Sequence, residues 1–482
     1  MDIIWTIDDM LAAMHGRPIG KMPEGITGIS IDSRNVDQGA AFFAIKGDKF
    51  DGHDFATAAL ANGAAVLVIA EDKIPAMGRW SAPMIVVGDV LEALELLGRA
   101  ARERVKGKVV AITGSVGKTT TKEMLRTVLA PSGKVHASVA SFNNHWGVPL
   151  TLARMPADTD FGVFEIGMNH TGEIHKLVDM VRPHVAMITC VEAAHMGNFK
   201  DLNEIARAKA EIMDGLTEGG SIILNRDNDR YNYLVRQARE KGVINNVYSY
   251  GQHKQSIFKL LSLKSLDKCS CFTARIDGQE VAVKLGAPGE HLVQNALGVL
   301  GMCSLIGADM ALAALAFSEF EAEKGRGART DRHIADGRFT LIDESYNANP
   351  ASMRAAISML ALAKPGRGGR RIAVLGDMLE MGRFSEELHV KLAEPLQEAN
   401  VDIVALSGPD MNYLADAIRG DMQVYYRADL SALIDWLLSK VRSGDVVMVK
   451  SSLGIGFGKI VAKLQEKFPE CEPDNDPLAN QD

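Results

Sequence analysis

Hydrophobic and polar positions follow two textures along the chain. From 108 to about 320, short apolar runs recur at 109–113, 162–166, 185–191 and 221–224, each followed by a stretch with helical spacing. Runs apolar on both faces predict strands covered on both sides, so this part reads as a parallel sheet flanked by helices. The texture changes over 256–285, where hairpin-like segments surround an Asp277-Gly278 turn signal, and a long apolar helix is predicted over 291–306. A second strand–helix set follows, with strands expected at 340–343, 371–375, 401–406 and 446–449. The opening differs. A helix capped by Thr6 precedes strands at 40–46, 65–69 and 84–87, mixed with short helices and without regular alternation, and a helix over 90–107 leads out.

These textures divide the 482 residues into 1–88, 89–322 and 323–465, in keeping with roughly 150 residues per domain. The charged, glycine-rich stretch 323–332 reads as a connection between domains. The acidic end, 466–482, is expected to be a disordered tail. No internal repeat is evident.

Composition narrows the classes. A 47% hydrophobic and 24% charged chain has material for several soluble cores. The net charge of −8, with no basic block, weakens the case for non-specific nucleic-acid binding, which needs a concentrated Lys/Arg face, and no nucleic-acid partner is expected. The five cysteines are scattered, and the Cys269-x-Cys271 pair has no second pair, so neither a zinc site nor a disulfide framework is expected. There is no apolar run of about 18 residues to span a bilayer, and the opening Met-Asp-Ile-Ile-Trp lacks a basic leader region. A cytoplasmic protein is expected.

Candidate chemistry starts after the run at 109–113. Gly114-Ser115-Val116-Gly117-Lys118-Thr119-Thr120 is a glycine turn between a predicted strand and a helix start. There the backbone N–H groups turn toward phosphate oxygens, the helix terminus adds positive potential, Lys118 reaches the terminal phosphates and the Thr119 hydroxyl can hold Mg²⁺. The first Gly of the longer G-x-x-x-x-G-K-T/S pattern is missing, since Ile112 stands there. A nucleoside triphosphate site alone fits kinases, switch GTPases and motors equally.

Further motifs decide among them. Ser141-Phe142-Asn143-Asn144-His145-Trp146-Gly147, Phe164-Glu165-Ile166-Gly167 and Ala194-His195-Met196-Gly197 follow predicted strands or loops of the same sheet, and Glu165 stands at a strand's C-terminal end, where ligands bind in open α/β sheets. Together with the short phosphate loop they resemble the Mur ligase family, over nearly the whole chain to about residue 460. The resemblance implies three domains: a small mixed α/β N-terminal domain for a UDP-linked substrate, a central P-loop-type parallel-sheet ATPase domain, and a C-terminal Rossmann-like α/β domain. It implies ATP and a pair of Mg²⁺ ions, with Thr119, Glu165, His195 and Lys209 at the metals and Lys209 carbamylated. It implies Asn295 at the adenine, and Arg326 or Arg329 at the phosphates. For the ribose it leaves Asp343 or Glu344.

Within the family, two segments point to the branch that joins D-alanyl-D-alanine to a UDP-linked muramoyl tripeptide through an acyl phosphate. One is Ser30-Ile31-Asp32-Ser33-Arg34 with Lys46-Gly47-Asp48, implied to grip UDP through Ser30, Asp32, Ser33, Arg34, Lys46 and Gly47. The other is Asp343-Glu344-Ser345-Tyr346-Asn347-Ala348-Asn349-Pro350, with Tyr346, Asn347 and Asn349 on the acceptor side, supported by Leu375-Gly376-Asp377-Met378-Leu379-Glu380-Met381-Gly382. The Asp-Asn-Pro-Arg motif of the diamino-acid-adding branch is absent. Two departures stand out: Glu344 replaces the usual second Asp, and Lys450-Ser451-Ser452-Leu453 lacks the family's arginine. Small-molecule substrates, a monomer and a role in peptidoglycan precursor synthesis are implied. A kinase would release a phosphorylated product and a switch would hydrolyse ATP alone. An inactive binding module is disfavoured by intact Lys118, Thr119, Glu165, His195 and Lys209.

Overall fold

The computed structural model describes residues 2–77, 82–139 and 141–471. Thr6 caps the first helix, Ile7–Met14, its hydroxyl accepting from the Asp9 N–H. The five-stranded sheet that follows runs in the order Arg17–Ile19, Met84–Val87, Val66–Ala70, Ala41–Phe43 and Ile29–Ser30. Only the first pair is antiparallel.

Nine strands form the central sheet, with Lys108–Thr113 between Phe161–Glu165 and Val185–Ile188. The chain steps from Lys108–Thr113 out to the edge strand Val135–Ala137, returns to Phe161–Glu165, and then crosses to the other side. That reversal makes a crevice at the strands' C-terminal ends, the usual ligand position in such sheets. Ser221–Asn225, Val247–Gly251 and Phe258–Ser265 extend the parallel ladder, and two antiparallel strands, Ser270–Ile276 and Gln279–Leu285, close it as a hairpin. Apolar clusters cover both faces. The helix Lys118–Leu129 contributes Met124, Leu125, Val128 and Leu129, spaced to lie on one side.

In the third sheet the order is Ala328–Ile334, Gly337–Glu344, Val446–Lys450, Arg371–Gly376, Ile403–Ser407 and Gln423–Tyr426. The first pair is antiparallel and the rest are parallel. Two expectations need correction. The connection expected over 323–332 ends earlier, because Ala328–Ile334 is a strand whose backbone pairs fully with Gly337–Glu344. The tail expected from 466 does not begin there either. The helix Gly458–Lys467 runs through that point, and Pro469 and Cys471 bond backbone to backbone with His333 and Asp331. Residues 472–482 lie outside the described residues.

Candidate functional site

A cavity of about 1200 Å³ lies where the C-terminal strand ends of the second and third sheets face each other. On the central side the chain turns sharply after Lys108–Thr113. Gly114 and Gly117 have φ of 152° and 85°, a region open to glycine, and a Cβ at Gly117 would collide with the Asn295 amide. The loop is anchored from behind. Ser115 Oγ donates to Glu192 O and accepts from Glu192 N–H, both at 2.9 Å, and Thr189 Oγ1 donates to Val116 O at 2.5 Å. Lys118 donates to Gly114 O at 2.8 Å, which lays its ammonium along the loop, and burial lowers its pKa.

Thr119, the second residue of the helix, donates from Oγ1 to Glu165 Oε2 at 2.8 Å, and both side chains are buried. The other oxygen of Glu165 accepts from Asn143 Nδ2 at 2.6 Å, and Ser141 Oγ lies 3.3 Å from Thr119 Oγ1. A buried carboxylate and two hydroxyls converging here are hard oxygen donors of the kind Mg²⁺ prefers. Deeper in the wall lies Lys209, 3% exposed. Burial first and the Lys118 charge second hold its pKa well below the ordinary lysine value. His195 lines the cavity and its Nδ1 is bonded to Glu380. Burial is the main cause that lowers its pKa, so the neutral ring is favoured. Among the described residues no three His, Cys, Asp or Glu side chains converge as a ready-made metal cluster.

The opposite wall comes from the third sheet. Glu344 and Lys450 end adjacent parallel strands in register, and their side chains meet at 3.1 Å. Lys450 also donates to Asn347 O at 2.9 Å. Arg326 reaches across to Ser141 Oγ at 3.0 Å and lies 4.1 Å over the Tyr346 ring.

The expected residues divide by placement. Ser115, Val116, Gly117, Lys118, Thr119, Thr120, Glu165, His195, Asn295, Arg326, Tyr346, Asn347 and Asn349 line the cavity. Gly114, Lys209, Asp343 and Arg329 do not. The Asp343 carboxylate accepts from the Gly325 and Ser345 N–H groups and the Ser345 hydroxyl, so it shapes the Gly325-Arg326 turn, while Arg329 is paired with Asp267. Of each pair left open by the sequence, Glu344 and Arg326 are the members at the cavity. Asn349 spends its side-chain oxygen on capping the helix Pro350–Leu362, through the Ser352 N–H.

The first-domain residues stand apart from the cavity. Ser30 is buried and closes a turn by donating to Asp32 O and Asn35 O. The neighbouring Arg34 guanidinium is the main cause holding the Asp32 carboxyl down at about 2. Ser33 O accepts from Asn62, and Lys46 is exposed. Gly47 packs against Trp146, whose neighbour His145 does line the cavity. Ser141, Asn143 and Lys450 belong to segments singled out in the sequence, but not as site residues; the loop after Val135–Ala137 and the end of the strand Val446–Lys450 were the available signals.

Three family models match the chain: Mur ligase family, catalytic domain over 25–102; Mur ligase middle domain over 112–303; and Mur ligase, glutamate ligase domain over 328–453. Two relatives named UDP-N-acetylmuramoyl-tripeptide–D-alanyl-D-alanine ligase, from Rickettsia prowazekii and Escherichia coli, are 32% and 33% identical. Each match covers 91% of this chain, and 95% and 93% of those proteins. The crystal structure of MurF from Acinetobacter baumannii superimposes with a TM-score of 0.82 at 30% identity, covering 96% of this chain and 99% of that one. The MurF ligase from Thermotoga maritima in complex with ADP, 24% identical, shares the fold at a TM-score of 0.74, covering 91% of this chain and 97% of that one.

Proposed function

The chain belongs to the Mur ligase family, and from that premise we propose that it joins D-alanyl-D-alanine to UDP-N-acetylmuramoyl-tripeptide in peptidoglycan precursor synthesis, with cleavage of ATP. The observation that carries this reading is the single cavity built from both sheets, with the phosphate loop on one wall and Arg326, Glu344 and Lys450 on the other. Residues 1–88 are assigned to the UDP end, 89–322 to ATP and 323–465 to the dipeptide. The enzyme works as a monomer in the cytoplasm. No helix among the described residues is long and apolar enough to cross a membrane.

A carboxylate does not condense with an amine in water, so its oxygen must first be phosphorylated. The tripeptide carboxylate attacks the γ-phosphorus and ADP leaves, giving an acyl phosphate. The dipeptide amine then attacks the acyl carbon, phosphate departs, and the nitrogen loses a proton. Lys118 and Arg326 supply positive charge from opposite walls where the transferring group collects negative charge. Thr119 and Glu165, with Ser141 beside them, are the residues that would hold Mg²⁺, which neutralises phosphate charge when bound. Closure of the two walls keeps water from the acyl phosphate.

Lys209 is read as a carbamate. The reading is supported by its burial and by its depressed pKa, because only the neutral amine adds CO₂ and the product is a hard anionic oxygen ligand. With His195 it would hold a second Mg²⁺ near the terminal phosphate. The whole reading is tested by ADP release, which should require both UDP-N-acetylmuramoyl-tripeptide and D-alanyl-D-alanine. Turnover with a UDP-muramoyl dipeptide and a diamino acid, and none with D-alanyl-D-alanine, would overturn it.

A further inference from the structure

Two loops meet where the central sheet faces the third: residues 195–197 and residues 380–382. The backbone N–H of Gly197 donates to Glu380 O at 2.7 Å, and the Glu380 carboxylate is bonded to His195 Nδ1. Among the described residues six non-glycine positions have positive φ, and two of them, His195 at 57° and Glu380 at 64°, are the pair in contact. Left-handed backbone at such residues persists only where the surroundings impose it, and it concentrates at functional sites. The approach is also as close as glycine allows, since a Cβ on Gly382 would lie 3.0 Å from Gly197 Cα.

We propose that Glu380 is a positioning residue for His195, fixing the ring tautomer across the domain junction so that the metal-binding form of His195 depends on docking of the C-terminal domain. A carboxylate accepts, so the proton sits on Nδ1 and Nε2 is left as an unprotonated nitrogen for a cation. A carboxylate behind a ligating histidine orients the ring and makes it a better ligand. Here the carboxylate comes from one domain and the histidine from another. When the domains part, His195 loses its orienting partner, and the second metal site weakens before substrates have been enclosed. The inference rests on the reading of His195 as a metal ligand.

The test uses the full-length protein with Mn²⁺ as the probe, in the presence of a non-hydrolysable ATP analogue. Bound Mn²⁺ is counted by electron paramagnetic resonance, and the His195 tautomer is read from its ring ¹⁵N shifts, assigned with H195N. The wild type should bind a pair of Mn²⁺ ions and carry the proton on Nδ1. E380A should weaken one ion by about 10–100-fold and lose the Nδ1–H signature. E380Q keeps an accepting oxygen and should retain both the tautomer and most of the affinity. G382A leaves both side chains intact but sets a methyl group against Gly197, and it should weaken the same ion, which keeps the idea testable if E380A folds poorly. Wild-type Mn²⁺ affinity and tautomer in E380A, or unchanged affinity in G382A, would overturn the inference. Retention of both ions in H195A would overturn the metal role of His195 and this inference with it. Dipeptide-dependent ADP release by the wild type judges the ligase reading separately.

Discussion

The two junctions of the central domain are built from different materials. Toward the first domain the contact is a buried apolar core. Trp5, Ile7, Met10 and Met14 share one cluster with Leu97, Ala101, Leu150 and Ala153. The Trp5 indole donates to Ala153 O at 2.7 Å, Arg104 lies 3.6 Å over its ring and reaches Ile4 O and Met155 O, and Arg154 donates to Ile29 O at 2.7 Å. Toward the C-terminal domain the contacts are mainly polar: His195 with Glu380, Arg326 with Ser141, Arg329 with Asp267 and Arg354 with Glu192. An apolar junction loses burial across its whole area when it opens, whereas exposed pairs are each worth only about 0–1 kcal/mol. On the proposed assignment of the domains, the UDP end is held to the ATP end more firmly than the dipeptide end is. An enzyme that must admit two further substrates and then exclude water needs that asymmetry.

The largest effect should come from the apolar junction. Trp5→Ala removes a 4%-exposed ring, an indole hydrogen bond and the surface under Arg104, and should cost about 3–5 kcal/mol in denaturant unfolding. A loss no larger than that from deleting an exposed pair at the other junction would show that the two junctions are held with similar strength.

Next comes a change in the wall that belongs to neither junction. Lys209→Ala should lower turnover by roughly 10²–10³-fold, as for one lost electrostatic stabiliser, and leave the domain contacts intact. Lys209→Arg should be as damaging, because a guanidinium keeps its charge and does not take up CO₂. Formate or acetate should partly restore the alanine variant. Near-normal turnover in the arginine variant would make Lys209 an ordinary cation.

How much of this was legible in the sequence follows from how local each feature is. The strand Lys108–Thr113 and its glycine turn announce themselves, because an apolar run and a phosphate loop are both contiguous signals. Gln423–Tyr426 was missed: it is a short edge strand, half-buried, whose Tyr425 stacks on Trp436 of the next helix. The choice between Asp343 and Glu344 was not readable locally. Neighbours on a strand point to opposite faces, and only the register with Val446–Lys450 shows that Glu344 is the one beside Lys450. Arg329 was drawn to the phosphates by proximity in sequence, but it sits in a strand and turns to Asp267. Glu380 lies 185 residues from His195, a distance at which no local pattern operates.

If the first junction holds the UDP end fixed, its contacts should act on one substrate only. Arg34 is exposed and paired with Asp32, and it does not line the cavity. Arg34→Ala should raise KM for the UDP substrate roughly ten- to hundredfold while leaving KM for ATP and kcat nearly unchanged, as for a lost charged hydrogen bond. An equal loss for both substrates would show that the two ends are coupled more tightly than this junction implies.

The smallest effect is expected at Arg354, and it bears most directly on the second junction. Its guanidinium stands 3.5 Å from Glu192, with side chains 47% and 34% exposed, so solvent screens the pair. Burial raises the Glu192 carboxyl's pKa and the Arg354 charge opposes this without reversing it, so the ion pair does not fully offset its own desolvation. Arg354→Ala should therefore change global stability by less than about 1 kcal/mol. Glu192 nevertheless occupies a sensitive place, because its backbone holds Ser115 of the phosphate loop on both sides. The pair links the C-terminal domain to the loop through one residue. A double-mutant cycle with Glu192→Gln, read both by unfolding and by small-angle scattering with ATP analogue bound, separates the two roles. The coupling should be near zero in the unfolding data, and the scattering should show a more open average shape in Arg354→Ala. A coupling in unfolding comparable to the Trp5→Ala loss would mean that the second junction is as firmly joined as the first, and the division into a fixed end and a moving end would fail.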